Sequence, residues 1–180
     1  MPRYAAFLRG VNLGARRRAS SDDLRSCFES IGLEDVATFR TSGNVVFEAG
    51  REARAKLTGR IENALAEALD YDVTVFLRTA EELEAIAAQQ PFPAKLVERS
   101  KGKLQVALLP KKPSAGTRKR VLGMATDEDR LELAERELYW LPSGGTRDAG
   151  LDLAAVEKPI GPWTMRTKGT LEQLHFKYFA

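Results

Sequence analysis

Residues 36–48, VATFRTSGNVVFE, contain two β-type runs on either side of a turn. The runs at residues 36–40 and 45–48 are rich in β-branched and aromatic side chains, which favour strands. Gly43 and Asn44 tolerate the positive φ that a tight hairpin turn requires. We therefore predict an antiparallel hairpin here, with its turn between the two runs.

One helix and one further strand flank the hairpin on each side. Before it, a β-run at residues 4–9 precedes an apolar stripe with the i, i+3, i+4, i+7 spacing of a helix: Leu24, Cys27, Phe28 and Ile31. Ser20 or Ser21 and Gly32 are suitable caps for this helix. After the hairpin, a second stripe precedes a β-run at residues 73–77: Leu57, Ile61, Leu65, Ala68 and Leu69.

The resulting order, β-α-β-β-α-β, is typical of a ferredoxin-like fold. Two right-handed β-α-β crossovers interleave into one antiparallel sheet that carries both helices on one face. The second half of the chain begins to repeat this order. We therefore predict an α+β fold with two related ferredoxin-like halves, residues 1–78 and 79–180, packed as one compact unit. The C-terminal helix is placed in the second half.

The start of the second half has clear boundary signals. Thr79 and Glu82 have the spacing of a capping box, and Pro91 ends the helix that they begin. Residues 104–109 form an apolar strand. Ser114 can then cap a short helix. These elements form a second β-α unit.

The end of the chain is harder to assign. Residues 127–141 match one helix or two strands, and we favour strands because Tyr139 and Trp140 suit a pleated surface. Residues 142–163 are rich in Gly and Pro and are expected to be mostly loop, with a turn of helix near residues 151–156. A closing helix, capped by Thr170, carries the last apolar stripe: Leu171, Leu174 and Tyr178.

Composition excludes several classes of protein. Among 180 residues, 43% are hydrophobic and 29% charged, a globular balance unlike that of disordered, collagen-like or membrane-embedded chains. The longest apolar runs are far below the roughly 18 residues of a membrane span, and residues 4–8 are too short for a signal peptide. We therefore expect a cytoplasmic protein without a membrane partner. The lone Cys27 and lone His175 exclude an internal disulfide and a Cys/His zinc site.

Charge is unevenly distributed in the second half. Residues 95–120 are strongly basic, and residues 127–137 are mainly acidic. The two segments can pair with each other on the surface, or the basic one can attract the phosphates of a nucleic acid. The candidate contacts for nucleic acid are the central cations of the basic segment: Lys111, Lys112, Arg118 and Lys119.

A glycine-bearing basic loop, RGVNLGARRR at residues 9–18, separates the first strand from the first helix. Such a loop can direct backbone N–H groups at an anion, aided by the positive end of the helix. It has neither Walker A nor dinucleotide-binding spacing. The alternative is a flexible loop that happens to be basic. The hairpin turn, with Ser42 and Asn44, would contribute only if it lay beside this loop.

Hydroxyls and cations also gather before the closing helix, at Thr164, Arg166, Thr167, Lys168 and Thr170. A bidentate arginine and hydroxyls at a helix start suit a phosphate or carboxylate ligand. Ordinary capping with surface charge is the alternative interpretation.

Catalytic signals are sparse. His175 is the lone histidine, and it is poorly placed for a Ser-His-Asp triad. The paired acids, Asp22 with Asp23 and Asp127 with Asp129, resemble caps and solubilising charge more than an acid and base. We therefore assign no catalytic residue, no metal and no cofactor, and leave open whether the protein is an enzyme.

Several motifs resemble one known family. RGVNLG at residues 9–14, DLR at 23–25 with IGLEDV at 31–36, and TSGNVVF at 41–47 are similar to the start of the bacterial family catalogued as domain of unknown function 1697, DUF1697. Weaker similarity continues through VFLR at 75–78, PFP at 91–93 and the segment from Thr164 to Leu171.

The resemblance implies a cytoplasmic α+β protein of two related ferredoxin-like halves, with no established activity. The chain departs from the family pattern in its second half. Ala149-Gly150-Leu151 stands where the family often has Ser-Lys-Leu, and Thr167 replaces the Asn of a terminal Thr-x-Arg-Asn pattern. A ligand site built on those groups would be altered here.

The leading hypothesis from the sequence is a binding site for a small anionic ligand bearing phosphate or carboxylate. Its residues come from both ends of the chain: Arg9, Asn12, Ser42, Asn44, Arg166 and Thr170. Two alternatives stay open. One is a nucleic-acid-binding module that uses the sheet face or the 95–120 segment. The other is an enzyme that acts on a nucleotide or phosphorylated metabolite.

Overall fold

Two four-stranded antiparallel sheets and seven helices are present in the described part of the chain. The computed structural model describes these residues: 1–12, 17–41, 43–100, 103–142, 144 and 150–180. The α+β class predicted from the sequence is confirmed. Among the described helices, none is long and apolar enough to cross a membrane.

The chain divides into two compact units. Unit 1 comprises Met1–Glu84 together with Leu174–Ala180. Unit 2 comprises Ala85–Gln173. The last residues of the chain therefore belong with the N-terminal unit.

Unit 1 has the element order predicted for the first half. Its elements are β1 (Arg3–Arg9), α1 (Ser21–Ser30), β2 (Glu34–Thr38), β3 (Asn44–Glu48), α2 (Arg54–Leu69) and β4 (Thr74–Thr79). The strands lie in the order β2-β3-β1-β4, and each neighbouring pair is antiparallel. The predicted hairpin is confirmed as β2 and β3. Its first strand ends at Thr38 because Arg40 has a φ of +60°, outside the strand region.

The apolar stripes of α1 and α2 pack on one face of this sheet. Leu57, Ile61 and Leu65 of α2 are fully buried. The ring of Phe28 on α1 meets Phe47 on β3 in an edge-on contact, with centroids 5.3 Å apart. Cys27 lies in the same core, and burial raises the pKa of its thiol. The cysteine is therefore a structural, unreactive side chain.

Unit 2 repeats this arrangement after two additional helices. Its elements are α3 (Ala80–Ala88, which begins in unit 1), α4 (Ala94–Arg99), β5 (Gln105–Leu108), α5 (Ala115–Leu122), β6 (Arg130–Leu133), β7 (Glu137–Leu141), α6 (Leu153–Ile160), β8 (Thr164–Thr167) and α7 (Lys168–Tyr178, which ends in unit 1). The strands lie in the order β6-β7-β5-β8 and are antiparallel. The preference for two strands within residues 127–141 is confirmed, and the helical alternative is wrong.

Sequence patterns missed α4 and β8, and they predicted only the first part of α6, as a turn of helix near residues 151–156. α6 lies in the Gly- and Pro-rich segment, where Asp152 caps it by accepting a hydrogen bond from the N–H of Ala155 at 3.2 Å. Pro159 and Gly161 stand at its end, so they terminate the helix without excluding it. β8 is short and polar, and it exists because it pairs along β5, with Met165 opposite Ala107.

Helix caps follow the predictions with one correction. Ser20 caps α1 in a capping box with Asp23, and Thr79 forms another with Glu82. The predicted cap Thr170 is wrong. α7 begins earlier, and the hydroxyl of Thr167 accepts a hydrogen bond from the N–H of Thr170 at 3.2 Å. Asn at this position in the family pattern would cap equally well.

The cap of α1 gives a pH-dependent prediction. Hydrogen bonds from the backbone N–H and hydroxyl of Ser20 lower the pKa of Asp23. A lowered carboxyl pKa stabilises the fold at neutral pH, and this stabilisation is lost as the pH falls through that pKa. Ser20→Ala keeps the backbone donor to Asp23 and removes only the hydroxyl. It should cost about 1 kcal/mol at pH 7, and slightly less in acid, as measured by urea unfolding.

Ser114→Ala is the matched control. Ser114 caps α5 by accepting a hydrogen bond from the N–H of Thr117, so no carboxylate takes part. Its cost should stay constant over the same acid range. Equal pH dependence in both variants would contradict the assignment to Asp23.

Candidate functional site

The basic loop and the hairpin turn meet at Asn12. Its Nδ2 donates a hydrogen bond to the carbonyl of Thr41 at 2.7 Å, and its Oδ1 accepts one from the N–H of Ala19 at 3.1 Å. The backbone N–H of Asn12 also donates to the carbonyl of Arg17. The Asn12 side chain therefore joins the loop to the hairpin turn. The turn lies beside the basic loop, as the hypothesis of an anion site required.

We refer to the described residues of this region, 9–12, 17–19, 39–41, 43 and 44, as the Asn12 corner. Ser42, predicted as part of the site, lies outside the described residues, as do residues 13–16. The whole corner belongs to unit 1. It lies at the end of the sheet where β1 and β2 finish and β3 and β4 begin.

Left-handed backbone conformations are concentrated in this corner. Gly10, Asn12, Arg40 and Gly43 have φ values of +93°, +57°, +60° and +76°. They are four of the eight residues with positive φ in the described part of the chain. Such conformations cost free energy in residues other than glycine, and they cluster at ligand sites.

Asn44 has a different role from the one its sequence position suggested. It is not a left-handed turn residue, because it begins β3 and its side chain is buried. Its Nδ2 donates to the carbonyl of Phe39 at 2.9 Å, and the N–H of Phe39 donates to the Asn44 carbonyl. Asn44 thus closes the hairpin from the strand, while Arg40 and Gly43 supply the turn.

Gly43 lies against the loop with no room for a side chain. An added Cβ would lie 2.6 Å from Cγ2 of Val11 and 3.1 Å from Cβ of Leu8. The N–H of Leu8 donates to the carbonyl of Gly43 at 2.8 Å. The turn therefore touches β1 and its loop through backbone atoms.

The Asn12 corner contains four arginines. Arg9 is half-buried at the end of β1, whereas Arg17, Arg18 and Arg40 are exposed. The guanidinium of Arg17 lies 5.3 Å from the ring centre of Tyr71, and a Cβ on Gly10 would lie 3.1 Å from its Nη1. Burial raises the pKa of Tyr71, and Arg17 opposes that shift. The corner thus combines positive charge with special backbone geometry.

The other predicted site residues, Arg166 and Thr170, belong to unit 2. Arg166 is buried and donates from Nη1 to the hydroxyl of Thr164 at 2.7 Å and to the carbonyl of Met165 at 2.9 Å. Burial lowers the pKa of Arg166 to about 10. The Thr170 hydroxyl lies 2.8 Å from that of Thr167. Their convergence with Arg9 and Asn12 stays a prediction.

Part of the basic segment is paired within unit 2. Nζ of Lys112 lies 2.9 Å from a carboxylate oxygen of Glu135. Arg118 contacts Glu132 at 3.2 Å and donates to the carbonyl of Leu133 at 2.6 Å. These contacts favour pairing of the basic and acidic segments over a nucleic-acid surface. Lys111 and Lys119 are exposed.

The central strands of both sheets are buried. Consecutive strand residues point to opposite faces. In β1, residues 5–8 are at most 2% exposed, and in β5, residues 106–108 are fully buried. Both faces of both central strands are therefore buried, unlike the open sheet of an RNA-recognition domain.

His175 and the acidic side chains are the remaining candidates for catalysis or metal binding. His175 is half-buried and its ring lies parallel to Phe179, with centroids 6.5 Å apart. Among the described residues, no group of three or more His, Cys, Asp or Glu side chains is placed to hold a metal ion.

Comparison with known proteins identifies the family. The model of a protein family of unknown function, DUF1697, matches residues 1–139. The chain belongs to the DUF1697 family. No curated protein matches the sequence.

A solved structure supports the fold of this DUF1697 protein. The chain is similar to the conserved bacterial protein SP0830 from Streptococcus pneumoniae, with a TM-score of 0.71 and 18% sequence identity over 98% of each chain. At this identity the likeness shows a shared fold and no shared activity.

One surface of the DUF1697 protein was missed by sequence reasoning. Phe39, after β2, meets Tyr178 of α7 edge-on, with centroids 6.1 Å apart. Nζ of Lys177 lies 5.9 Å from the Phe39 centroid and 5.1 Å from the Tyr178 centroid, and the Arg40 guanidinium lies 5.4 Å from that of Phe39. We call Phe39, Arg40, Lys177 and Tyr178 the aromatic–basic surface. In the sequence, this surface is indicated only by adjacent aromatic and cationic residues, FR at 39–40 and FKYF at 176–179.

The close approach at Gly43 gives a stability prediction. Gly43→Ala combines a left-handed φ with a clash against Val11 and Leu8, so it should cost about 3 kcal/mol in urea unfolding. Gly32→Ala is the control, because Gly32 has a φ of +81° with no atom within 4 Å of an added Cβ. It should cost only about 1 kcal/mol. Equal costs would contradict the tight contact between turn and loop.

Proposed function

We propose that this DUF1697 protein binds a small anionic ligand, bearing phosphate or carboxylate, at the Asn12 corner. The observation that carries the proposal is the pair of hydrogen bonds of the Asn12 side chain, which donates to the carbonyl of Thr41 and accepts from the N–H of Ala19. They join two loops that are far apart in sequence into one preformed surface. A preformed surface loses little conformational entropy on binding.

Backbone geometry supports an anionic ligand. Residues that alternate with left-handed neighbours form concavities in which successive N–H groups attract anions. Gly10 and Asn12 on the loop, and Arg40 and Gly43 on the turn, have this conformation. The left-handed φ of Arg40 costs free energy, because arginine, unlike glycine, rarely adopts this conformation.

Charge supports the same ligand class. Arg9, Arg17, Arg18 and Arg40 lie on the corner, and guanidinium groups bind phosphate and carboxylate in bidentate geometry. Arg17 is oriented by its contact with Tyr71, so its guanidinium lies beside Gly10. The proposal concerns binding, and no reaction is assigned.

The architecture of the two units is part of the proposal. We propose that each is a ferredoxin-like half, supported by the same β-α-β-β-α-β order and the same strand order in both sheets. The cytoplasmic location stays a prediction, as do the roles of Ser42, Arg166 and Thr170.

A thermal-shift titration with inorganic phosphate and pyrophosphate tests the proposal. A ligand at a hundred times its Kd adds roughly 2.7 kcal/mol of stability. The wild type should gain a saturable increase in Tm that is lost in Arg9→Ala and in Arg17→Ala.

Lys112→Ala is the matched control, since it also removes one positive charge but lies on unit 2. It should keep the full shift. General stabilisation by phosphate as a salt would persist in every variant, so the difference between variants isolates binding. The same shift in all four proteins, or none in the wild type, would overturn the proposal.

A further inference from the structure

In the described part of the chain, the buried hydroxyl of Tyr71 has no hydrogen-bond partner. Tyr71 follows α2, whose C-cap residue Asp70 has a left-handed φ of +61°. The ring of Tyr71 packs against the core of unit 1, so the hydroxyl is held in place. A buried hydroxyl without a partner costs free energy, because in the unfolded chain it is hydrogen-bonded to water.

One other buried side-chain atom lacks a partner among the described residues, and its situation is different. Nε of Arg3 is unpartnered, but the same guanidinium donates from Nη1 to the carbonyl of Tyr178 and from Nη2 to Glu48. The fold therefore binds Arg3 through its other nitrogens. The hydroxyl is the one polar atom of the Tyr71 side chain, and buried polar groups are normally hydrogen-bonded. Tyr71 thus lacks a partner that a ligand can supply.

Tyr71 lies beside the basic loop of the Asn12 corner. The guanidinium of Arg17 is 5.3 Å from the centre of its ring. A Cβ on Gly10 would lie 3.1 Å from Nη1 of Arg17 and 3.8 Å from the carbonyl oxygen of Asp72. The segment after α2 therefore borders the loop after β1. Tyr71 brings a hydroxyl to the same end of the sheet as the arginines.

The surroundings of this hydroxyl favour an anionic partner. Burial raises the pKa of Tyr71, so the phenol stays protonated and can donate. Arg17 lowers this pKa and Asp23 raises it, so both charges act on the hydroxyl. The carboxylate of Asp23 accepts its hydrogen bond from the N–H of Ser20 instead. Arg17 is exposed, and among the described residues it pairs with no carboxylate.

We propose that Tyr71 is a ligand-binding residue of the anion site. Its hydroxyl donates a hydrogen bond to an oxygen of the bound anion, while the guanidinium of Arg17 pairs with the charge. Hydrogen bonds to anionic oxygens are short and strong. The inference rests on the proposed function, and it places the anion on the Arg17 side of the Asn12 corner. Arg17 is an exposed side chain over the ring, so its movement gives the anion access to the hydroxyl.

Isothermal titration calorimetry with inorganic phosphate, on the wild type and Tyr71→Phe, tests the proposal. Phenylalanine keeps the ring that packs on the core and contacts Arg17, so the variant should fold normally. Its Kd for phosphate should be about 10-fold weaker, because one hydrogen bond to a charged group is lost. Its Tm without phosphate should be no lower than that of the wild type, because no hydrogen bond within the fold is removed. A purely structural tyrosine would not give this difference between Kd and Tm.

Tyr4→Phe is the matched control, since it removes the same hydroxyl from the opposite end of β1. Tyr4 stacks on Phe47 with ring centroids 5.8 Å apart, and this contact is kept. The control should bind phosphate as the wild type does. An unchanged Kd in Tyr71→Phe, or equal weakening in Tyr4→Phe, would overturn the inference. A lower Tm of phosphate-free Tyr71→Phe would also overturn it, because the hydroxyl would then have a partner in the free protein.

The two proposals can fail separately. If phosphate binding is lost in Arg9→Ala and Arg17→Ala but unchanged in Tyr71→Phe, the role of Tyr71 is wrong and the anion site stands. If the wild type does not bind phosphate, both are wrong.

Discussion

The side-chain amide of Asn12 is the contact on which the candidate site depends. It donates a hydrogen bond to the carbonyl of Thr41 and accepts one from the N–H of Ala19, and so joins the β1–α1 loop to the β2–β3 turn. Gly43 completes the junction because only a residue without a side chain fits against Leu8 and Val11. The arginines and left-handed residues of the corner are close to one another as a consequence of these two contacts.

Burial of the central strand leaves the ends of the sheet as the accessible part of unit 1. The central strand β1 is buried on both faces, so ligands cannot reach the middle of its sheet. Strand ends and the loops after them remain accessible, and they carry the arginines and the aromatic–basic surface. In unit 2, Lys112 and Arg118 are engaged with acidic side chains.

Sequence periodicity was sufficient for most of the fold. Leu24, Cys27 and Phe28 lie in the core as their spacing predicts, and Ser20 and Ser114 cap their helices. β8 could not be found this way, because Thr164–Thr167 is a strand through its pairing with β5 rather than through its own composition. Glycine and proline around α6 indicated mostly loop, whereas Pro159 and Gly161 only mark the end of this helix.

The site was predicted less completely than the fold. Arg9 and Asn12 were selected from a glycine-bearing loop, but the partners of Asn12 depend on tertiary contacts that spacing does not contain. Asn44 was taken for a turn residue, whereas its buried amide bonds to Phe39. The contact between Phe39 and Tyr178 joins residues from opposite ends of the chain, so no local pattern reveals it.

A titration of the ¹⁵N-labelled protein with inorganic phosphate, followed by backbone amide chemical shifts, tests the central claim most directly. We expect the largest saturable shifts at Gly10, Asn12 and Gly43, with small changes along α5. Shifts concentrated at Lys111 to Lys119, or no saturable shift at the Asn12 corner, would contradict the claim.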